Sequence, residues 1–97
     1  MTTTQLRVYQ LPPDEAQQQR WLAWWQEARA LRERHGFRIV FAVRDPESGR
    51  FPWMVEHDGD CRAVEEAMVA SPERAELFAR ARPENQILET PFVRRIA

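Results

Sequence analysis

Lysine is absent from this 97-residue chain: its fourteen basic residues are all arginine, balanced by fifteen acidic ones to a formal charge of −1. That balance gives no general attraction to a phosphate backbone or an anionic lipid surface, so nucleic acid is not an expected partner. The all-arginine set fits a GC-rich bacterial genome better than a dedicated site. Cysteine occurs once, as Cys61, which excludes an internal disulfide and suits a reducing compartment. Just after Asp60 at a helix start it reads as an ordinary free thiol, because no histidine or asparagine stands beside it in sequence. Only three glycines are present, too few for a phosphate-cradling loop. No apolar run approaches the ~20 residues of a membrane span. The opening Met1-Thr2-Thr3-Thr4 resembles neither a basic leader nor a signal peptide, so a cytoplasmic location is expected. Paired carboxylates, a nucleophile with its base and a metal-ligand cluster are all missing from the sequence pattern.

Hydrophobic residues make up 43% of the chain, four of them tryptophan, which is enough for one core and one domain spanning residues 1–97. The most informative stretch is Phe37 to Asp58, two apolar strands joined by the turn Asp45-Pro46-Glu47-Ser48-Gly49. A regular register pairs Phe37 with His57, Ile39 with Val55, Phe41 with Trp53 and Val43 with Phe51 on one face. The other face then pairs Arg38 with Glu56, Val40 with Met54 and Ala42 with Pro52. Because that second face is still apolar at mid-strand, something is expected to cover it.

Leu6 to Leu11 alternates in polarity and stops at Pro12-Pro13, as a first strand would. Asp14 is placed to cap a long helix whose apolar stripe carries Trp21, Trp24, Trp25, Ala28, Leu31 and His35, and Gly36 is placed to end it. Asp60 is positioned to cap a second helix through Ala63, Val64, Ala67 and Met68. Ser71-Pro72-Glu73-Arg74 has the form of a fresh start for another with Ala75, Leu77 and Phe78. Ala81 to Asn85 breaks it, and Gln86 to Ile96 reads as a last strand with a bulge or edge position at Pro91.

The order strand, helix, strand, strand, helix, strand predicts an α+β fold of the ferredoxin-like βαββαβ type, a four-stranded antiparallel sheet with both helical segments on one face. An apolar open face on such a sheet predicts a homodimer formed sheet to sheet, a dimeric α/β barrel.

Short motifs carry a resemblance across nearly the whole chain. Leu6-Arg7-Val8-Tyr9 before a proline and a long helix resembles the opening strand of NIPSNAP-like proteins, as do His35-Gly36-Phe37, Phe51-Pro52-Trp53 and Ser71-Pro72-Glu73-Arg74 at their places. Gln5 departs from the acidic residue usual before Leu-Arg in that family. The resemblance implies the dimeric α/β-barrel fold, which also houses cofactor-free oxygenases, haem-degrading enzymes and small isomerases. It implies no cofactor and no agreed activity for the family itself. Two functions follow: a homodimeric module with a cleft for a small apolar or acidic ligand, or a cofactor-independent monooxygenase or isomerase acting on a small aromatic or polyketide-like substrate.

The expected ligand site is the cleft between helices and sheet, walled by Trp24, Trp25 and Trp53. Its rival is a polar patch between two sheets, built from Arg7 and Tyr9 with Arg38 and Glu56. No metal site is expected: His35 and His57 should be neighbours, but strand alternation turns Glu56 and Asp58 away from His57. In that reading His35 stabilises a helix C-terminus and His57 marks the sheet edge.

Overall fold

The computed structural model describes residues 1–80 and 84–97. Its elements are β1 (Thr2–Gln10), α1 (Glu15–Arg34), β2 (Arg38–Ala42), β3 (Arg50–Asp58), α2 (Cys61–Val69), α3 (Pro72–Arg80), β4 (Gln86–Glu89) and β5 (Phe92–Val93). The sheet runs β2-β3-β1-β4 with β5 also along β1, and every pairing is antiparallel. With the helices on one face this is the ferredoxin-like arrangement. The break expected over Ala81 to Asn85 falls largely outside the described residues. The single last strand expected over Gln86 to Ile96 is instead two short pieces flanking Pro91, whose carbonyl accepts from the Leu6 amide at 3.0 Å.

The helix ends follow local chemistry. The Asp14 carboxylate accepts from the Gln17 amide at 3.0 Å and starts α1. At the other end the Gly36 amide donates to Glu33 and the Phe37 amide to Arg32, a Schellman closure made possible by φ +88° at Gly36. Asp60 caps α2 through the Ala63 amide, and Ser71 caps α3 through the Arg74 amide with Pro72 in the first helical position.

One side of the sheet is formed by alternate residues of the two central strands: Phe51, Trp53, Val55 and His57 of β3, with Thr3, Gln5, Arg7 and Tyr9 opposite them on β1. Trp21, Trp25 and Leu31 of α1 close over Tyr9, Phe51 and Trp53, and Met68 and Leu77 complete the core. The rings meet edge to face, with centroids 5.0 Å apart for Trp21 and Phe51 and 5.6 Å for Trp25 and Trp53.

The hairpin departs from the regular register. Arg38 lies opposite Glu56 and Ile39 opposite Val55 as the pattern predicts, but a bulge at Val40 then sets Phe41 opposite Met54 and Ala42 opposite Trp53. Beyond it the Val43 amide donates to the Pro52 carbonyl. The extra residue reverses the alternation, so Ala42 packs against the core while Phe41 (38% exposed) and Val43 (52%) turn to the open face. That face is completed by Leu6, Val8, Pro52 and Met54. Neither Phe41 with Trp53, nor Val43 with Phe51, nor the Val40 and Ala42 pairings with Met54 and Pro52, is formed.

Candidate functional site

A cavity of about 310 Å³ lies between the sheet and the helical layer, and Trp24, Trp25, Trp53, Arg7 and Tyr9 all line it. The polar patch anticipated as the rival site is therefore split: Arg7 and Tyr9 belong to the cleft, while Arg38 and Glu56 do not line it. Arg7 and Tyr9 do not face a second sheet beside Arg38 and Glu56. Pairing of Arg7 with Trp53 and Tyr9 with Phe51 turns both toward the helices, and Leu6 and Val8 take the open face instead. The physical reason is size: the Tyr9 ring stands edge-on between Trp21 and Trp53, and the Arg7 guanidinium lies 5.4 Å from the centre of the Trp53 ring.

Each wall has a structural origin. Trp24 and Trp25 follow Trp21 on the inner side of α1; Trp24 meets Phe78 of α3 at 5.2 Å. Trp53 is 2% exposed and forms the floor. The interruption between α2 and α3 leaves Met68 and Val69 on one side and Arg74, Leu77 and Phe78 on the other. Small Ala28 of α1 keeps the space between them open.

Arg7, Tyr9, Arg32 and Glu65 form one polar cluster in the lining. The Tyr9 hydroxyl accepts from Arg7 Nε at 2.9 Å, and Gln5 Oε1 accepts from Arg7 Nη1 at 3.2 Å. Arg32, from the last turn of α1, also lies 5.4 Å from the Trp53 ring centre and 5.4 Å from that of Phe37. Burial and the neighbouring Arg7 push the Arg32 guanidinium below its ordinary pKa, an effect opposed by Glu65. Glu65 of α2 serves both arginines, its Oε1 standing 3.8 Å from Arg7 and 3.5 Å from Arg32.

Arg32, Glu65, Arg74 and Phe78 were not anticipated as site residues. Arg32 carried a signal, since it stands seven residues after Trp25 and four after Ala28 and so continues the apolar stripe by two helical turns. Glu65 carried none, because only the tertiary packing of α2 brings it to the arginines.

Elsewhere, Arg38 donates to Asp58 at 2.8 Å and stands 3.7 Å from Glu56. Thr4 and Arg95 also donate to Glu56, and the Thr4 hydrogen bond is the first cause of its carboxyl being held below the ordinary value. His35 reaches Glu73 at 3.9 Å, and His57 packs on Phe37 near the end of β3, a central strand rather than an edge one. Among the described residues no three His, Cys, Asp or Glu side chains converge as metal ligands. Burial, with Glu65 next in effect, pushes the Cys61 thiol up, as suits an unreactive cysteine. Among the described residues no helix is long and apolar enough to cross a membrane.

No family model matches the chain, and no curated protein matches it. Among solved structures it is similar to one from Bacteriodes thetaiotaomicron VPI-5482 named a "putative antibiotic biosynthesis monooxygenase". The TM-score is 0.71 at 15% identity, over 99% of this chain and 90% of that one. At that identity the likeness is one of fold.

Proposed function

We propose that this NIPSNAP-like chain is a homodimeric module that binds a small ligand with an aromatic ring in the helix–sheet cavity. The observation that carries the reading is the cavity itself. Three tryptophans, Tyr9 and Phe78 surround about 310 Å³ with a polar cluster in the lining, the combination of apolar walls and few orienting groups typical of small-molecule sites. Quenching of tryptophan fluorescence by a neutral bicyclic probe, 2-acetylnaphthalene, tests it. Saturable quenching is expected, and its loss in Ala28→Leu, which fills the cavity from α1, would place the probe there. Unsaturable quenching in the native protein, or saturation unaffected by Ala28→Leu, would count against the site.

The dimer reading is supported by Phe41 and Val43, exposed on the open sheet face beside Leu6, Val8 and Met54.

A second reading, cofactor-independent monooxygenation of a small aromatic or polyketide-like substrate, is favoured by one arrangement: a tyrosine hydroxyl hydrogen-bonded to an arginine inside an aromatic cavity. The name of the fold neighbour points the same way. Dioxygen consumption with hydroxylated aromatics, lost in Tyr9→Phe, is the expected result under this reading. No consumption across a panel of naphthols and anthrones would leave the binding module as the function.

A further inference from the structure

The polar cluster of the cavity is rich in donors and poor in acceptors. Arg7 and Arg32 both lie 5.4 Å from the centre of the Trp53 ring. The Trp53 indole N–H is buried and has no acceptor among the described residues. The Tyr9 hydroxyl accepts from Arg7, which leaves its own hydrogen for another acceptor. Against these donors stands one carboxylate. Glu65 is 3.5 Å from Arg32 and 3.8 Å from Arg7, too far for strong hydrogen bonds to either. Gln5, the other group on Arg7, is neutral. Two guanidinium groups and one carboxylate therefore leave a single positive charge, in a place where Arg32 keeps only 15% of its side chain exposed. An uncompensated charge there is costly, and an entering anion offsets it.

We infer that the cavity takes an aromatic monocarboxylate, its ring among the tryptophans and its carboxylate on Arg7 and Arg32, with Glu65 restricting the site to one negative charge. The inference rests on the reading of the cavity as a ligand site and adds the charge of the ligand. A carboxylate suits the two planar guanidinium forks, which donate paired hydrogen bonds to its oxygens. A dianion would carry the cluster past neutrality and meet Glu65 at close range, so the mono-acid is preferred over a di-acid or a phosphate monoester. Two further arginines line the cavity: Arg29 stands 2.8 Å from a Glu33 carboxylate oxygen, and Arg74 lies 3.8 Å over the centre of the Phe78 ring on α3.

The test compares 2-naphthoate, the neutral 2-acetylnaphthalene and the dianion 2,6-naphthalenedicarboxylate by tryptophan fluorescence on the full chain. Naphthoate should bind about tenfold or more tighter than the ketone, the effect of a charge-assisted hydrogen bond. The dicarboxylate should bind more weakly than naphthoate. In Arg7→Gln, checked for folding by its thermal melt, the preference for naphthoate over ketone should collapse toward one. In Glu65→Gln naphthoate should tighten and the penalty on the dianion should shrink. If Arg7→Gln fails to fold, Glu65→Gln decides alone: unchanged or weaker naphthoate binding there overturns the inference. Equal binding of ketone and naphthoate by the native protein overturns it while leaving the cavity as a ligand site. Binding of none of the three removes both readings.

Discussion

Trp53 ties the sheet to the helical layer and the cavity: it pairs with Arg7 across β1, contacts the Tyr9 and Trp25 rings, and forms the floor of the cavity. Trp53→Ala should lower stability by about 3–5 kcal/mol, read from urea denaturation, because the surrounding elements can collapse only partly into the space. Trp53→Phe keeps an aromatic floor and should remain folded, so it reports on binding where the alanine variant reports on the core. A loss below about 1 kcal/mol for the alanine variant would mean the ring is not core. At the surface, Asp58 accepts from Arg38 and from Thr2, which lower its carboxyl pKa from 3.8 to about 2. Because the folded value lies below the ordinary one, these contacts support the fold above pH 3.8 and are lost as pH falls through about 2. In a carbon-detected NMR titration the Asp58 carboxyl should show its midpoint near 2, and Arg38→Gln should move it up toward the ordinary value. A midpoint already near 3.8 in the native protein would deny the pairing.

The elements whose limits are set by local chemistry were legible in the sequence. Asp14, Gly36, Asp60 and Ser71-Pro72 each mark a helix end through their own backbone or side-chain hydrogen bonds, and all four stand where the pattern put them. What the sequence concealed depends on a partner strand. Phe37, Ile39, Phe41 and Val43 alternate without interruption, so nothing local signals the bulge at Val40. Only the pairing of β2 with β3 shows that Ala42, not Phe41, fits opposite Trp53 beneath the helices. The same limit applied to the candidate site. Its five residues were legible as large or polar side chains, but the face taken by Arg7 and Tyr9 follows from the β1–β3 register, since apolar Leu6 and Val8 were equally good claimants to the core side. Gly36 offers the sharpest test of a helix end. Alanine there would meet φ +88° and place its Cβ 3.3 Å from His57 Nε2, so Gly36→Ala should destabilise by more than ~1 kcal/mol in thermal or chemical denaturation. An unchanged melting temperature would mean the α1 closure relaxes into another conformation.

At the scale of the whole molecule the notable feature is thinness: the body measures 39 × 35 × 17 Å, which is one sheet and one helical layer. The layer of helices covers one side, and the other presents Leu6, Val8, Phe41, Val43, Pro52 and Met54 as a contiguous strip. At one end of that strip Glu56 gathers Thr4, Arg38 and Arg95, so its polar groups are paired within the chain. An apolar centre bordered by satisfied ion pairs is the composition of a protein interface, and a sheet of this breadth can supply the area of ~1,000 Å² or more that a stable one buries. Under the proposed dimer reading, a two-fold axis sets the strip on itself and matches apolar surface with apolar surface. Light scattering on the eluting protein at micromolar concentration should therefore give twice the 11.5 kDa of one chain. Phe41→Asp should return the mass to 11.5 kDa with the far-UV circular dichroism retained, because Phe41 is already 38% exposed and lies outside the core. A native mass of 11.5 kDa would exclude the sheet-to-sheet dimer. A doubled mass that Phe41→Asp leaves intact would move the interface to another face.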